Sequence, residues 1–149
     1  MIALLQRVSR ASVRVEGETI GAIGAGLLVL VAVERGDGER EAERLAERLR
    51  AYRVFADGAG RMNLSVVDVG GAMLLVPQFT LAADTDRGNR PSFSRAAEPA
   101  VGERLFERLV AAVRGAGVEC ALGRFGAHME VESVNDGPVT FWLRVQPAV

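Results

Sequence analysis

The chain of 149 residues holds one cysteine, one histidine and no lysine. Cys120 alone closes no intrachain disulfide, and with only His128 beside it no zinc site of the usual Cys/His type assembles from one chain. Without lysine there is no Schiff-base chemistry and no amine base. All 18 basic residues are arginine, a bias read as genome composition or heat adaptation. An excess of charge of one sign is also missing. Eighteen basic residues face 19 acidic ones, and a net charge of −1 argues against a broad basic face for duplex nucleic acid, leaving a small local contact with RNA open. The longest apolar run, Leu27 to Val33, is far short of the roughly 20 residues that cross a bilayer. Met1 to Arg10 lacks a signal-peptide profile, so no membrane partner is expected and the chain reads as cytoplasmic. Absent too are a phosphate-binding Gly-x-x-x-x-Gly-Lys loop, a Gly-x-Ser-x-Gly elbow, His-Glu-x-x-His and Cys-x-x-Cys. Nucleotide hydrolysis, serine-esterase and metalloprotease mechanisms lose their usual parts.

What is present is ordinary globular composition, 49% hydrophobic and 25% charged, in a length that fits one domain over residues 1–149. Ile2–Ser9 and Ser12–Glu16 are β-branched segments, and Gly17-Glu18 turns the chain into Thr19–Ile23. Leu27–Val33 reads as a strand covered on both faces. Asp37 is the expected N-cap of a helix whose apolar positions are Ala42, Leu45, Ala46, Leu49 and Tyr52, ending near Arg53. After a turn at 57–60, Ala72–Phe79 forms a second apolar strand, and residues 82–98 a long polar loop kept ordered by its aromatic and rigid residues. Val101, Leu105, Leu109, Ala112 and Val113 mark a second helix from Pro99, stopped by Gly115 and Gly117. Val118–Leu122, Met129–Val134 and Val139–Val145 complete the sheet. The expected fold class is α+β: a single domain, mostly β sheet or barrel-like, with two main helices.

Two segments carry unusual chemistry. Gln78 and Thr80, two apart at a strand end, project an amide and a hydroxyl to one face while Phe79 points to the other. They either satisfy backbone groups at the strand terminus or form a polar pair in a site. Asn135-Asp136-Gly137-Pro138 is first of all a turn signal, yet its X-Pro bond is also one that adopts cis and then aims its carbonyls in fixed directions. His128, in Phe125-Gly126-Ala127-His128-Met129, either borders a site or is a surface or partly buried histidine, since a lone imidazole fills many roles without catalysis.

Five motifs in order resemble the D-aminoacyl-tRNA deacylase family over nearly the whole chain: Gln6-Arg7-Val8, Gln78-Phe79-Thr80-Leu81, Gly88-Asn89-Arg90-Pro91-Ser92-Phe93, Gly123-Arg124-Phe125-Gly126-Ala127 with Met129, and Asn135-Asp136-Gly137-Pro138-Val139-Thr140. One departure is Pro77, where the family usually has serine; a hydroxyl and a backbone N–H leave the site's edge. The resemblance implies a cofactor-independent, metal-free hydrolase acting on aminoacyl-tRNA, held by its 3′-terminal adenosine. It implies a homodimer in which Gly137 and Pro138, joined by a cis bond, reach into the other subunit's pocket. Gln78, Phe79 and Thr80 would line the pocket floor, with Gln78 and Thr80 as the catalytic candidates. Phe125 and Met129 would adjoin the adenosine, and Arg7 would orient the Gly-Pro loop. A reading from another class is a non-catalytic module that binds the aminoacylated 3′ end of tRNA.

The same resemblance has a physical rationale. An enzyme that accepts many D side chains cannot grip them, and must discriminate at the α-carbon. Backbone carbonyls there would block an L substituent and leave a D substituent free, and would not oppose glycine. The ester is activated, so a placed water, backbone N–H donors and the substrate's own 2′-hydroxyl would suffice. Thr80 as a covalent nucleophile lacks an adjacent base.

Overall fold

The computed structural model describes all 149 residues. In chain order the elements are β1 (Ile2–Val15), β2 (Glu18–Ile23), β3 (Gly26–Ala32), α1 (Glu39–Ala51), β4 (Phe55–Ala56), β5 (Met62–Leu64), β6 (Ala72–Pro77), α2 (Pro99–Gly115), β7 (Cys120–Leu122) and β8 (Glu130–Arg144). The main sheet runs β2-β1-β3-β6-β7, with β8 antiparallel to β1 along its other edge. Strands β3, β6 and β7 are parallel neighbours. Joining parallel strands needs long crossovers, and the two longest contain α1 and α2.

The sheet curls until β2 meets β7. A side chain at Gly21 would stand 2.8 Å from the Leu122 carbonyl oxygen, so only a residue without Cβ lets the two strands approach this closely. The single mostly-β domain with two helices agrees with the fold class expected from sequence. Apolar residues alternate accordingly. Leu27, Val29, Val31, Met73 and Leu75 face α1 and α2 and join the larger core with Leu45, Leu49, Leu105 and Leu109. Leu28, Leu74 and Val76 point inward with Val8, Ala11 and Val13. Burial on both faces is why the Leu27–Val33 run shows no polar alternation.

Three local expectations are corrected. Ile2–Ser9 and Ser12–Glu16 fuse into one 14-residue strand, because β1 carries partners on both sides: β3 then β2 along one edge, β8 along the other. Asp37 is not the N-cap of α1. That position is Gly38, whose N–H donates to the Glu41 carboxylate at 2.8 Å. Asp37 instead turns inward, accepting the Glu34 N–H at 2.7 Å and pairing at 2.7 Å with the ammonium of Met1; burial pushes its carboxyl above the ordinary value. Finally, Met129–Val134 and Val139–Val145 are one strand, β8, rather than two strands joined by a turn. Residues 136–139 bulge out opposite Arg7, between the Val8–Asn135 and Gln6–Thr140 pairs.

The outer faces of α1 and α2 are linked by Arg104–Glu39 at 3.5 Å and by Arg108–Glu43. These exposed pairs contribute little against the apolar burial beneath them. No helix is long and apolar enough to cross a membrane.

Candidate active site

A chamber of about 450 Å³ opens where β3 and β6 end. Val31, Val33, Val76 and Pro77 form its base, and residues 125–129 of the β7–β8 connection form a wall. Clefts at the carboxyl ends of parallel strands are common ligand sites, because the connections fan out there and leave a crevice. Ten of the sixteen lining residues are hydrophobic, which favours exclusion of water around whatever polar groups project inward.

Pro77 fits its place without loss. The Gln78 N–H goes to Val31 on the β3 side (2.7 Å), whereas Met73 and Leu75 exchange bonds on the β7 side. By alternation the missing N–H of Pro77 points to the β7 side, beyond the last paired residues, Leu75 and Leu122, where no strand waits to accept it. The chain then leaves the sheet. Residues Phe79–Ala82 form a 3₁₀ turn, so Ala72–Phe79 is a strand only as far as Pro77. Gln78 and Thr80 do project together, but through this turn and not through strand alternation: the Gln78 side-chain amide donates to the Thr80 hydroxyl. Gln78 and Phe79 line the chamber, and Thr80 stands beside it, held by Gln78. The turn bonds run from Leu81 to Gln78 and from Ala83 to Thr80, which leaves the N–H groups of Phe79 and Thr80 without partners inside the turn.

The opposite wall depends on two glycines. A Cβ at Gly123 would lie 2.9 Å from the Met129 sulfur and 3.2 Å from Pro77 Cδ. Its absence lets Met129 close over the end of β6. The Met129 sulfur also accepts the Arg124 N–H at 3.3 Å. Gly102, inside α2, is the surface on which the Phe125 ring rests, since a Cβ there would meet Cζ at 3.4 Å. Neither role was readable from glycine spacing alone. His128 also lines the chamber. No group of three or more His, Cys, Asp or Glu side chains is arranged to hold a metal ion. Burial pushes the Cys120 thiol up from its ordinary value.

Gly137 and Pro138 stand elsewhere. Their bond is cis, and neither residue lines the chamber of its own chain. The bulge that carries them is braced at each end. Val139 donates to Asn135 Oδ1 (2.9 Å), while Asn135 Nδ2 and Gln6 Nε2 donate to the Thr140 hydroxyl (3.1 and 3.2 Å). Arg7 spans the middle: Nε donates to the Asp136 carbonyl at 2.9 Å and Nη1 to the Val54 carbonyl at 2.7 Å. The structure thus gathers Gln78, Phe79, Phe125 and Met129 at one chamber, with Thr80 adjoining, and Arg7, Gly137 and Pro138 at a second locus.

The family model described as D-Tyr-tRNA(Tyr) deacylase matches residues 4–144. D-aminoacyl-tRNA deacylase of Nitrosococcus oceani is 62% identical over 149 residues, covering 100% of this chain and 96% of that protein. D-aminoacyl-tRNA deacylase of Thioalkalivibrio sulfidiphilus is 63% identical over 147 residues, covering 99% of each. Among solved structures, the c-Myc DNA unwinding element binding protein superposes with a TM-score of 0.92 at 38% identity, covering 99% of this chain and 100% of the other. A probable eukaryotic D-amino acid tRNA deacylase shares the fold at a TM-score of 0.82 and 18% identity, over 95% of this chain and 97% of that one. The chamber, the braced bulge and the matches therefore run over one and the same stretch of chain, and this enzyme belongs to the D-Tyr-tRNA(Tyr) deacylase family.

Proposed function

We propose that the chain hydrolyses the ester of D-aminoacyl-tRNA in the chamber at the ends of β3 and β6, and that a second copy completes the site with Gly137 and Pro138. The observation that carries this reading is the separation of the two loci: the chamber holds its polar pair and apolar walls, yet the braced Gly137–Pro138 bulge lies outside the chamber of its own chain. A partner is also suited to β8, whose 15 residues pair only with β1 and leave Val134 and Trp142 exposed.

In this reading the terminal adenine packs on Phe125 and Met129, an aromatic face and a polarizable sulfur. Phe79 and Gln78 hold the ribose and ester nearby. The Gly137 and Pro138 carbonyls of the partner copy face the α-carbon, so an L substituent meets oxygen atoms and a D substituent points away. Glycine has no Cβ to exclude, and glycyl-tRNA is a substrate by the same logic. Water attacks the ester carbonyl and passes one proton to the ribose 2′-hydroxyl, which gives its own proton to the departing 3′-oxygen. The C–O bond to the 3′-oxygen breaks, yielding the free amino acid and tRNA. The free N–H groups of Phe79 and Thr80 are the donors for the oxyanion. A cytoplasmic location follows from the substrate.

The decisive measurement is release of free amino acid from D-Tyr-tRNA and L-Tyr-tRNA under multiple turnover. Release from the D substrate alone is expected. Equal rates on both would end the carbonyl-selector reading, and tight stoichiometric binding without release would favour the non-catalytic module. Thr80 provides a second check. Its hydroxyl accepts from an amide and has no adjacent base, so Thr80→Ala is expected to keep single-turnover deacylation within about tenfold of the parent, against several orders of magnitude for loss of a nucleophile. A trapped acyl-enzyme on Thr80 would reverse this assignment.

A further inference from the structure

The connection between the 3₁₀ turn and α2, residues 83–98, is the longest stretch without helix or strand, and it is ordered by its own bonds. Asp84 and Ser92 exchange two backbone hydrogen bonds, at 2.7 and 3.1 Å. Arg95 bridges the Asp84 and Asp86 carboxylates, both at 3.3 Å. Buried Ala96 anchors the far end, paired with Glu34. These bonds leave two cations unused. Arg87 and Arg90 are exposed on the tip and make no ion pair, in contrast to Arg95.

The same connection sends Phe93 back against Phe79. Their ring centroids are 5.0 Å apart with planes inclined by 55°, yet Phe79 remains 58% exposed and Phe93 39%. Two phenyl rings left side by side in water are not required by the core, which closes without them. Phe79 also lines the chamber, so the pair forms a continuous step from the chamber wall to the arginine-bearing tip.

We propose that Phe93, together with Arg87 and Arg90, forms a docking surface for the unpaired nucleotides that precede the terminal adenosine of tRNA. The proposal rests on the chamber being the adenosine site. Exposed aromatic faces suit unstacked bases of any identity, and unpaired guanidiniums suit the phosphates between them. A base-paired stem hides its base faces and would leave the rings unused. The loop's internal bonds fix the surface in advance, which reduces the ordering cost on binding. A chain with net charge −1 needs such a local cationic feature to hold a polyanion near its chamber.

The test uses two uncharged tRNAs, one lacking only the terminal adenosine and one lacking that adenosine and the two nucleotides before it. Neither fills the chamber with adenosine, so their difference reads the docking surface alone. Fluorescence anisotropy is expected to show the parent enzyme binding the first roughly tenfold more tightly than the second. The double variant Arg87→Ala/Arg90→Ala, and separately Phe93→Leu, should each bring the two tRNAs to within about twofold, a ratio near the noise of such affinities. In the double variant the salt dependence for the first tRNA should flatten by about 1.4 in log–log slope, from two single-strand phosphate contacts. The exposed arginines carry the test should Phe93→Leu fail to fold. No difference in the parent, a difference that survives the variants, or equal weakening of both tRNAs, as a stem contact would give, overturns the proposal. Failure of the chamber reading would show separately, as intact D-aminoacyl-tRNA after incubation with the parent enzyme.

Discussion

Gly137→Ala is expected to lower deacylation of D-aminoacyl-tRNA by about a hundredfold or more, while the unfolding midpoint moves by only a few degrees. Gly137 has φ of +146°, a region that side chains rarely adopt and whose occupation costs of order 1–3 kcal/mol. An added Cβ would also meet Val139 N at 2.8 Å and Val139 Cγ2 at 2.7 Å. The bulge must therefore shift, and it carries the proposed selector. Little stability depends on it, because residues 136–138 and Thr140 are exposed and only Val139 of this stretch packs against the main core. The variant should accordingly fold and fail to position the carbonyls. Rates measured on D-Tyr-tRNA and L-Tyr-tRNA beside a thermal melt separate these effects. Parent-like rate and parent-like rejection of the L substrate would show that the bulge has no part in the reaction.

A 2′-deoxy substrate esterified at the 3′ position should bind nearly as well as the ribose form and react about 10²–10⁴-fold more slowly in single turnover, the range for a lost general acid–base group. The chamber offers a side-chain amide, a nearby hydroxyl and one imidazole. On the proposed reading, the proton acceptor beside the ester comes from the substrate. Because this role exists only as the bond breaks, the loss belongs in rate and not in affinity. The 3′-linked form also prevents acyl migration between hydroxyls. An unchanged rate would return the role to the protein, with Thr80 and His128 the first residues to replace.

Sequence reading did best where the determining interactions are local or periodic. Both helices follow from their apolar spacing, and the double burial of β3 from its unbroken apolar run. Its failures are places where a distant partner decides. A turn signal at Asn135–Pro138 does not end the strand, because β1 supplies a full-length partner more than a hundred residues away. Asp37 looks like a cap until the ammonium of Met1 and the Glu34 N–H claim its carboxylate. Gln78 and Thr80 were placed together correctly for a reason that does not hold, since a 3₁₀ turn replaces the expected strand end. Among candidate site residues, the motifs marked Gln78, Phe79, Phe125 and Met129, which share a chamber, and the segment 125–129 pointed to His128 as a residue bordering a site, but nothing local marked Phe106 as a wall residue or explained Gly102 and Gly123.

Arg7 belongs to the middle of β1 and fastens the bulge to the chain leaving α1, through the Val54 carbonyl. Arg7 lies on the central strand β1, and Val54, though outside helix and strand, is fully buried in the main core. A recognition surface on an ordinary loop opens and closes many times during each encounter, and its error rate follows those excursions. Here the bulge is tied instead to β1 and to a buried carbonyl through one arginine. If the bulge is the selector proposed above, chiral recognition would draw its geometry from the sheet that carries Arg7 as well as from the bulge itself.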